Sequence, residues 1–345
     1  MPFGATPAAI LDLVERLAAV TVLLSGVELF LARSELRDGG VLDWRHLSLR
    51  RPSTRIDRFF AMLPGRRLFD DPIFFLVVAV QLAGAAVMAI EPGSIVGPLV
   101  CLVCHVLVMR RIYPAVDGSD DMLMVILGVA VLRTLATAPE AQLAAVLFLA
   151  GQSALSYLTS GLSKAQSRTW WNGAGLKGVL TTRTYSEPHL ARFIGTHPLI
   201  TRALGPFTIV WESAFPLAVL AGPEPAIVAI VVAASFHLAC AFVMGLASFS
   251  WAFGAVLPAV IYSSFWLAEQ LSTPERLLLT AVVALPIVGA MGFFGGIAHM
   301  TKRATKPATI QVPVSPRADA VVASPPRSPA ERSDAQQSPV EVPSH

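Results

Sequence analysis

Read only for hydrophobic and polar positions, the chain alternates between long apolar runs and short clusters of charge. Ile73–Ile90 carries no charged residue, and Ala226–Leu246 has His237 as its only ionisable interruption. A helix needs about 20 mostly apolar residues to cross the hydrocarbon of a bilayer. Nine segments are predicted to do so: Ile10–Ala32, Pro72–Ile90, Ile95–Met109, Met122–Ala138, Gln142–Ser160, Leu204–Gly222, Ala226–Gly245, Phe249–Leu267 and Leu277–Ile297. The first is the least regular, because Asp12, Glu15 and Arg16 load its start and Glu28 lies inside it. The third is short. The expected fold is an all-α polytopic membrane bundle of eight to nine transmembrane helices over residues 1–300. Residues 301–345 are rich in Pro, Ser, Ala and Gln and poor in aromatics. Such a segment buries too little apolar surface to offset chain entropy, so it is expected to be a disordered tail.

Composition sharpens this picture. The chain is 54% apolar and 14% charged, with mean hydropathy +0.63, whereas soluble domains carry about 25% charge. A soluble enzyme with a single anchor is excluded. The net charge of +3 says less than its distribution. Arg33 to Arg67 contribute nine arginines between spans one and two, Arg110 and Arg111 follow span three, Lys164 to Arg202 contribute six cations after span five, and Lys302, Arg303 and Lys306 follow span nine. The intervening turns lack Lys and Arg, except for Arg276 ahead of span nine. Basic loops stay cytoplasmic, so the N-terminus is expected outside and the C-terminus inside, in the cell membrane. The start of the chain lacks a basic region and a cleavage site, so no cleaved signal peptide is expected. Leu42–Leu68 and Pro188–Leu204 mix aromatic, aliphatic and basic residues, as amphipathic segments at an anionic membrane surface do. The expected partner is the lipid bilayer, and no nucleic acid is expected.

Ionisable groups inside a span cost about 2.5–3.5 kcal/mol on insertion scales and normally face the bundle interior. Glu28, Arg133, Glu212 and His237 are such groups. They could build a polar cavity, pair as internal ties, or snorkel to the interface. Arg133, near an outer end, is expected to snorkel. Glu212 and His237 lie near mid-span in consecutive helices, so a contact between them is expected. Cys101, Cys104 and Cys240 sit in apolar runs and suggest helix packing rather than disulfides, and no metal site is expected.

The stretch Tyr157-Leu-Thr-Ser-Gly-Leu-Ser-Lys164-Ala-Gln-Ser-Arg-Thr-Trp170-Trp171-Asn-Gly173 carries the most chemistry. Lys and Trp are ordinary interfacial anchors. A partly buried lysine can instead serve as a base. Spacing leaves both readings open.

Taken with Leu180–Tyr185, Trp211-Glu212-Ser-Ala-Phe-Pro216, Phe236-His237-Leu and Gly245-Leu-Ala-Ser-Phe249-Ser250-Trp251, this stretch resembles the HTTM (horizontally transferred transmembrane) family. These bacterial membrane proteins are similar to the membrane domain of vitamin K-dependent gamma-carboxylase. That enzyme generates a strong base from reduced vitamin K, which takes a proton from a glutamate side chain. The resemblance implies a catalytic role for Lys164, within Ser160-Gly161-Leu162-Ser163-Lys164, with Glu212 and His237 at the family's acidic and Phe-His positions. It also implies reduced vitamin K or another quinone as a cofactor, and a secreted peptide as a partner. Asp120 stands nearest to where the carboxylase has a histidine, and the large soluble domain of that enzyme has no counterpart in this sequence. Both departures argue against glutamate carboxylation of a protein. The carboxylase also works facing the secretory lumen, whereas the arginine distribution puts Lys164 on the cytoplasmic side. The alternatives are a peptide-maturation protein, a non-catalytic scaffold and a permease.

Overall fold

The computed structural model describes residues 4–37, 39–47, 69, 71–182 and 188–300. The predicted tail and most of the arginine-rich first loop lie outside these residues. Among the described residues nine long helices form, one at each predicted segment: α1 (Pro7–Leu31), α2 (Asp71–Ile90), α3 (Val96–Arg111), α4 (Gly118–Leu135), α5 (Pro139–Ala165), α6 (Pro198–Ala221), α7 (Pro223–Met244), α8 (Ala247–Gln270) and α9 (Thr273–Met300). Among the described residues there is no strand. Six of the helices, α2 and α5 to α9, are long and apolar enough to cross a membrane. The chain is therefore an all-α, multi-pass membrane protein.

Local chemistry explains where the helices begin and end. Proline opens α1, α5, α6 and α7 at the first turn, where its missing N–H costs nothing. Thr6 caps α1 by accepting from Ala9 N. Asp117 and Asp120 form a reciprocal capping box at α4. Gly245, at φ 70°, ends α7 in the left-handed region. Pro206, Pro216, Pro258 and Pro286 lie inside helices, a placement that membrane bundles tolerate because neighbouring groups satisfy the freed carbonyls.

Apart from the longer connections after α1 and α5, short turns fold consecutive long helices back on one another, so the bundle has two ends. Among the described residues, the basic α3–α4 and α5–α6 connections and the neutral α7–α8 turn lie at one end, and the α2–α3, α4–α5, α6–α7 and α8–α9 turns lie at the other. Helices α1 and α8 pack together at the centre, α1 also against α2, α4 and α5, and α8 also against α4 to α7. Their close approach rests on small residues: Ala18 and Ala19 of α1, and Ala252, Ala255 and Ala259 of α8, are fully buried. Outward faces are apolar, with Phe242 at 81% and Leu285 at 74% exposure. Such a surface needs lipid around it.

Candidate functional site

The site grows from one glycine. A Cβ on Gly161 would lie 2.5 Å from Ser213 Oγ and 2.7 Å from Ser213 N. Only hydrogen lets α5 and α6 approach this closely. Lys164 follows three residues later and so projects from the same helix face. Its Nζ donates to Glu212 Oε1 at 2.9 Å, to Glu212 Oε2 at 2.7 Å and to Ser160 Oγ at 2.5 Å. An ammonium has three donors, and all three are used. The Ser160 hydroxyl also reaches the Glu212 carboxylate. Lys164 thus points into the bundle to a buried acid rather than outward to the interface.

Trp170 covers the ammonium, with Nζ 5.2 Å from its ring centroid. The short helix Arg168–Trp171 that carries it is held on both sides. Trp171 Nε1 donates to Ala165 O at 2.8 Å. On the other side, a Cβ on Gly205 would lie 2.4 Å from Trp170 O, so α6 lies against this segment.

Beside Lys164 lies a cavity of about 650 Å³, walled by α4, α5, α8 and Trp170. It lies at the basic end of the bundle. Helix α5 presents Gln152, Ser156, Thr159, Ser160 and Ser163 to it, and Ser167 follows just beyond the helix. These positions recur at helical spacing and form a polar stripe on an otherwise apolar helix. Met122, Val125, Phe249 and Phe253 supply the apolar wall, and Gly118 and Asp121 part of the rim.

His237 lies behind that wall, ring-stacked on Phe253 at 5.0 Å between centroids. Its Nε2 is 2.7 Å from Tyr157 Oη, and its backbone carbonyl accepts from Ser250 Oγ at 2.5 Å. The expected contact between Glu212 and His237 is replaced by two separate pairs, because Lys164 and Tyr157 of α5 reach Glu212 and His237 respectively. Tyr157 also packs on Trp211 and Phe215. His237 Nδ1 is buried and has no hydrogen-bond partner among the described residues.

Asp120 does not line the cavity. Its Oδ2 accepts from Asp117 N at 3.0 Å, and its backbone carbonyl lies 3.1 Å from His105 Nε2. His105 is buried, with Nδ1 3.5 Å from Gln81 Nε2. The next residue, Asp121, is the one that faces the cavity. Lys164 and Glu212 are therefore brought together, His237 is joined to them by the α5 face through Tyr157, and Asp120 belongs to a separate α2–α3–α4 cluster. Cys101 and Cys104 are buried packing residues, and Cys101 Sγ lies 3.5 Å from Gln81 O.

Arg133, Arg111 and Glu28 act as ties. Arg133 does not snorkel: it is buried, with Nε paired to Glu15 and Nη2 2.6 Å from Asp12 Oδ1. Glu15 also accepts from Gly93 N at 2.9 Å, so one ion pair fixes α1, α4 and the α2–α3 turn. At the opposite end, fully buried Arg111 donates to the carbonyls of Leu36, Leu42 and Phe69. Glu28 accepts from Ser248 N at 3.4 Å, near the start of α8. No group of three His, Cys, Asp or Glu side chains suited to a metal occurs among the described residues. Comparison with family models, with curated proteins and with solved structures finds no match.

Proposed function

We propose that the chain is an HTTM-type membrane protein, similar to the membrane domain of vitamin K-dependent gamma-carboxylase, and that it handles protons on a lipid-soluble molecule or membrane-proximal peptide. The observation that carries this reading is that Lys164, which lines a cavity of about 650 Å³, is paired with buried Glu212. A structural tie would have no need of that space. The orientation proposed from the arginines, N-terminus outside and C-terminus inside, opens the cavity toward the cytoplasmic face of the cell membrane.

The chemistry available to the pair is proton exchange. Passing one proton from Lys164 Nζ to Glu212 leaves a neutral amine and a neutral acid. The amine lone pair then accepts a proton from an acidic hydroxyl presented at the cavity floor. Lys164 is again an ammonium, the substrate oxygen carries the charge, and Glu212 holds the transferred proton. In a site of low dielectric such preorganised groups act strongly.

The residues present fit a flat, hydroxyl-bearing ring. Phe249, Phe253 and Trp170 provide faces for stacking, and the α5 hydroxyls provide hydrogen bonds along its edge. A hydroquinone would supply reducing equivalents and an acidic hydroxyl there. The test is mass spectrometry of organic extracts from the purified protein. A lipophile enriched over the surrounding lipid is expected, and its loss is expected in Ser156→Trp, which fills the cavity. Extracts indistinguishable from bulk membrane lipid would count against the reading. The complete use of the Lys164 donors favours one second reading, a non-catalytic scaffold in which the pair ties α5 to α6.

A further inference from the structure

We propose that the Lys164 cavity selects a small amphiphile whose polar end is a primary ammonium. This rests only on reading the cavity as a ligand site, and it departs from the flat ring of the proposed function by naming a cationic amphiphile as the occupant. Lys164 is the one cation among the cavity's described lining residues. It has little to offer an anion, because Glu212 neutralises it and its three N–H bonds are made.

Much of the hydroxyl lining is committed as well. Ser156 Oγ donates to Gln152 O at 2.9 Å, and Thr159 Oγ1 to Leu155 O at 2.9 Å. A hydroxyl whose proton is spent keeps only acceptor capacity. The charge left over is negative. Asp121 lines the cavity and is solvent-exposed, and its carboxylate makes no hydrogen bond or ion pair among the described residues. Phe249 and Phe253 add aromatic surface, which suits both methylenes and a cation.

An entering carboxylate or phosphate meets a like charge at the rim and no unpaired cation among the described lining residues. A primary ammonium brings three donors to the acceptor hydroxyls of Ser156 and Thr159 and neutralises Asp121. Its alkyl body lies along the apolar side of the cavity, against Met122, Val125, Phe249 and Phe253. The selected class is therefore a long-chain amine.

The test uses the full-length protein in nanodiscs of zwitterionic phosphatidylcholine, with empty nanodiscs as the reference for partitioning. Dodecylammonium, dodecanol and dodecyl sulfate are titrated by calorimetry. Protein-dependent binding is expected to be tightest for dodecylammonium. Asp121→Asn is expected to weaken it about ten-fold or more, ~1.4 kcal/mol, at an unchanged unfolding midpoint and unchanged dodecanol affinity. Glu140→Gln, at the opposite end of α5, is expected to change nothing. Equal or tighter binding of dodecyl sulfate, an unaltered Asp121→Asn affinity, or no protein-dependent binding of the amine would overturn the proposal. Occupancy is read without turnover, so the two proposals fail separately. Amine binding alongside a dispensable Lys164 removes only the proton-handling reading. A required Lys164 without amine binding removes only this one.

Discussion

Lys164 Nζ contacts both carboxylate oxygens of Glu212, at 2.9 and 2.7 Å, across an interface that closes only because residue 161 is glycine. The spacing Gly161-x-x-Lys164 thus has a mechanical meaning. Glycine brings α6 in, and the lysine on the same face reaches the acid that arrives with it.

The first prediction follows from that contact. Gly161→Ala places a methyl group 2.7 Å from Ser213 N, a backbone atom that cannot rotate away. Overpacking of this kind costs roughly 1–3 kcal/mol. The unfolding midpoint in detergent is expected to fall, together with any activity that depends on Lys164. Gly151→Ala is the control, because its Cβ would meet nothing within 4 Å. An unchanged midpoint for Gly161→Ala would mean that the two helices can part at little cost.

Much of the fold was legible because membrane spans declare themselves by length and composition. The nine apolar segments reappear as nine helices, with ends moved by caps and prolines. Side-chain pairing was less legible, because it depends on helix rotation and on how closely two backbones approach. Arg133 sits near the end of α4, where snorkelling was the local expectation. Its partner Glu15 is 118 residues away on α1, in the charged start that made that span look irregular. Glu212 and His237 share a depth, yet each finds its partner on α5. The cavity wall itself could have been found. Gln152, Ser156, Thr159 and Ser163 recur every three or four residues, and that stripe marks a polar face without any structure. Nothing in the spacing favoured Asp121 over Asp120, since the choice turns on which carboxylate the capping box consumes.

The second prediction concerns the Arg133 tie. Removing one partner of a buried ion pair leaves an uncompensated charge and costs roughly 3–5 kcal/mol. Glu15→Gln is expected to destabilise the protein strongly, since Glu15 is almost wholly buried. Asp12→Asn is expected to do much less, because Asp12 is 43% exposed and solvent screens it. Thermal unfolding of the two variants should rank them in that order. Replacing Glu15 and Arg133 together by Leu and Met should be milder than Glu15→Gln alone. Equal effects from Asp12→Asn and Glu15→Gln would remove Glu15 as the principal partner.

The third prediction is a pH dependence outside the spanning segments. Asp43 Oδ2 accepts from Gly39 N, and Oδ1 from Arg45 N, each at 2.9 Å. These bonds hold its carboxyl below the usual range, near 3.9 in model peptides. A depressed folded-state value stabilises the folded loop above about pH 4 and is lost as the pH falls through that lower value. Hydrogen exchange at the Gly39 and Arg45 amides should be faster in Asp43→Ala than in the parent at pH 7. The difference should vanish once the parent carboxyl is protonated. A difference that persisted in strong acid would mean that the carboxylate is not what orders the loop.

The fourth prediction tests orientation. In a cysteine-free background, Ser94→Cys in the α2–α3 turn should react with an impermeant thiol reagent in intact cells. Asn172→Cys, beside Trp171 at the basic end, should react only after the membrane is opened. The reverse pattern would invert the topology and turn the Lys164 cavity outward.

The last prediction separates a base from a tie at Lys164. If the residue only holds Glu212, a guanidinium offers the same charge and more donors, and Lys164→Arg should be close to silent. If Lys164 must release and recapture a proton, arginine fails, because it does not deprotonate in proteins. The compact ammonium is also geometrically specific here. It meets Ser160 and both Glu212 oxygens at one point under Trp170, whereas a planar fork spreads its donors apart. Lys164→Arg and Lys164→Ala are therefore expected to be comparably defective in the phenotype of a deletion strain, at matched protein levels. Glu212→Gln should join them, since it removes the proton acceptor while keeping the side chain's shape. Stability is the second readout. Glu212→Gln leaves a largely buried ammonium without its partner and is expected to lower the unfolding midpoint, whereas Lys164→Arg keeps the charge and should shift the midpoint only modestly while abolishing function. Full function in Lys164→Arg, or loss of function that merely tracks loss of folded protein, would leave the pair as a tie between α5 and α6.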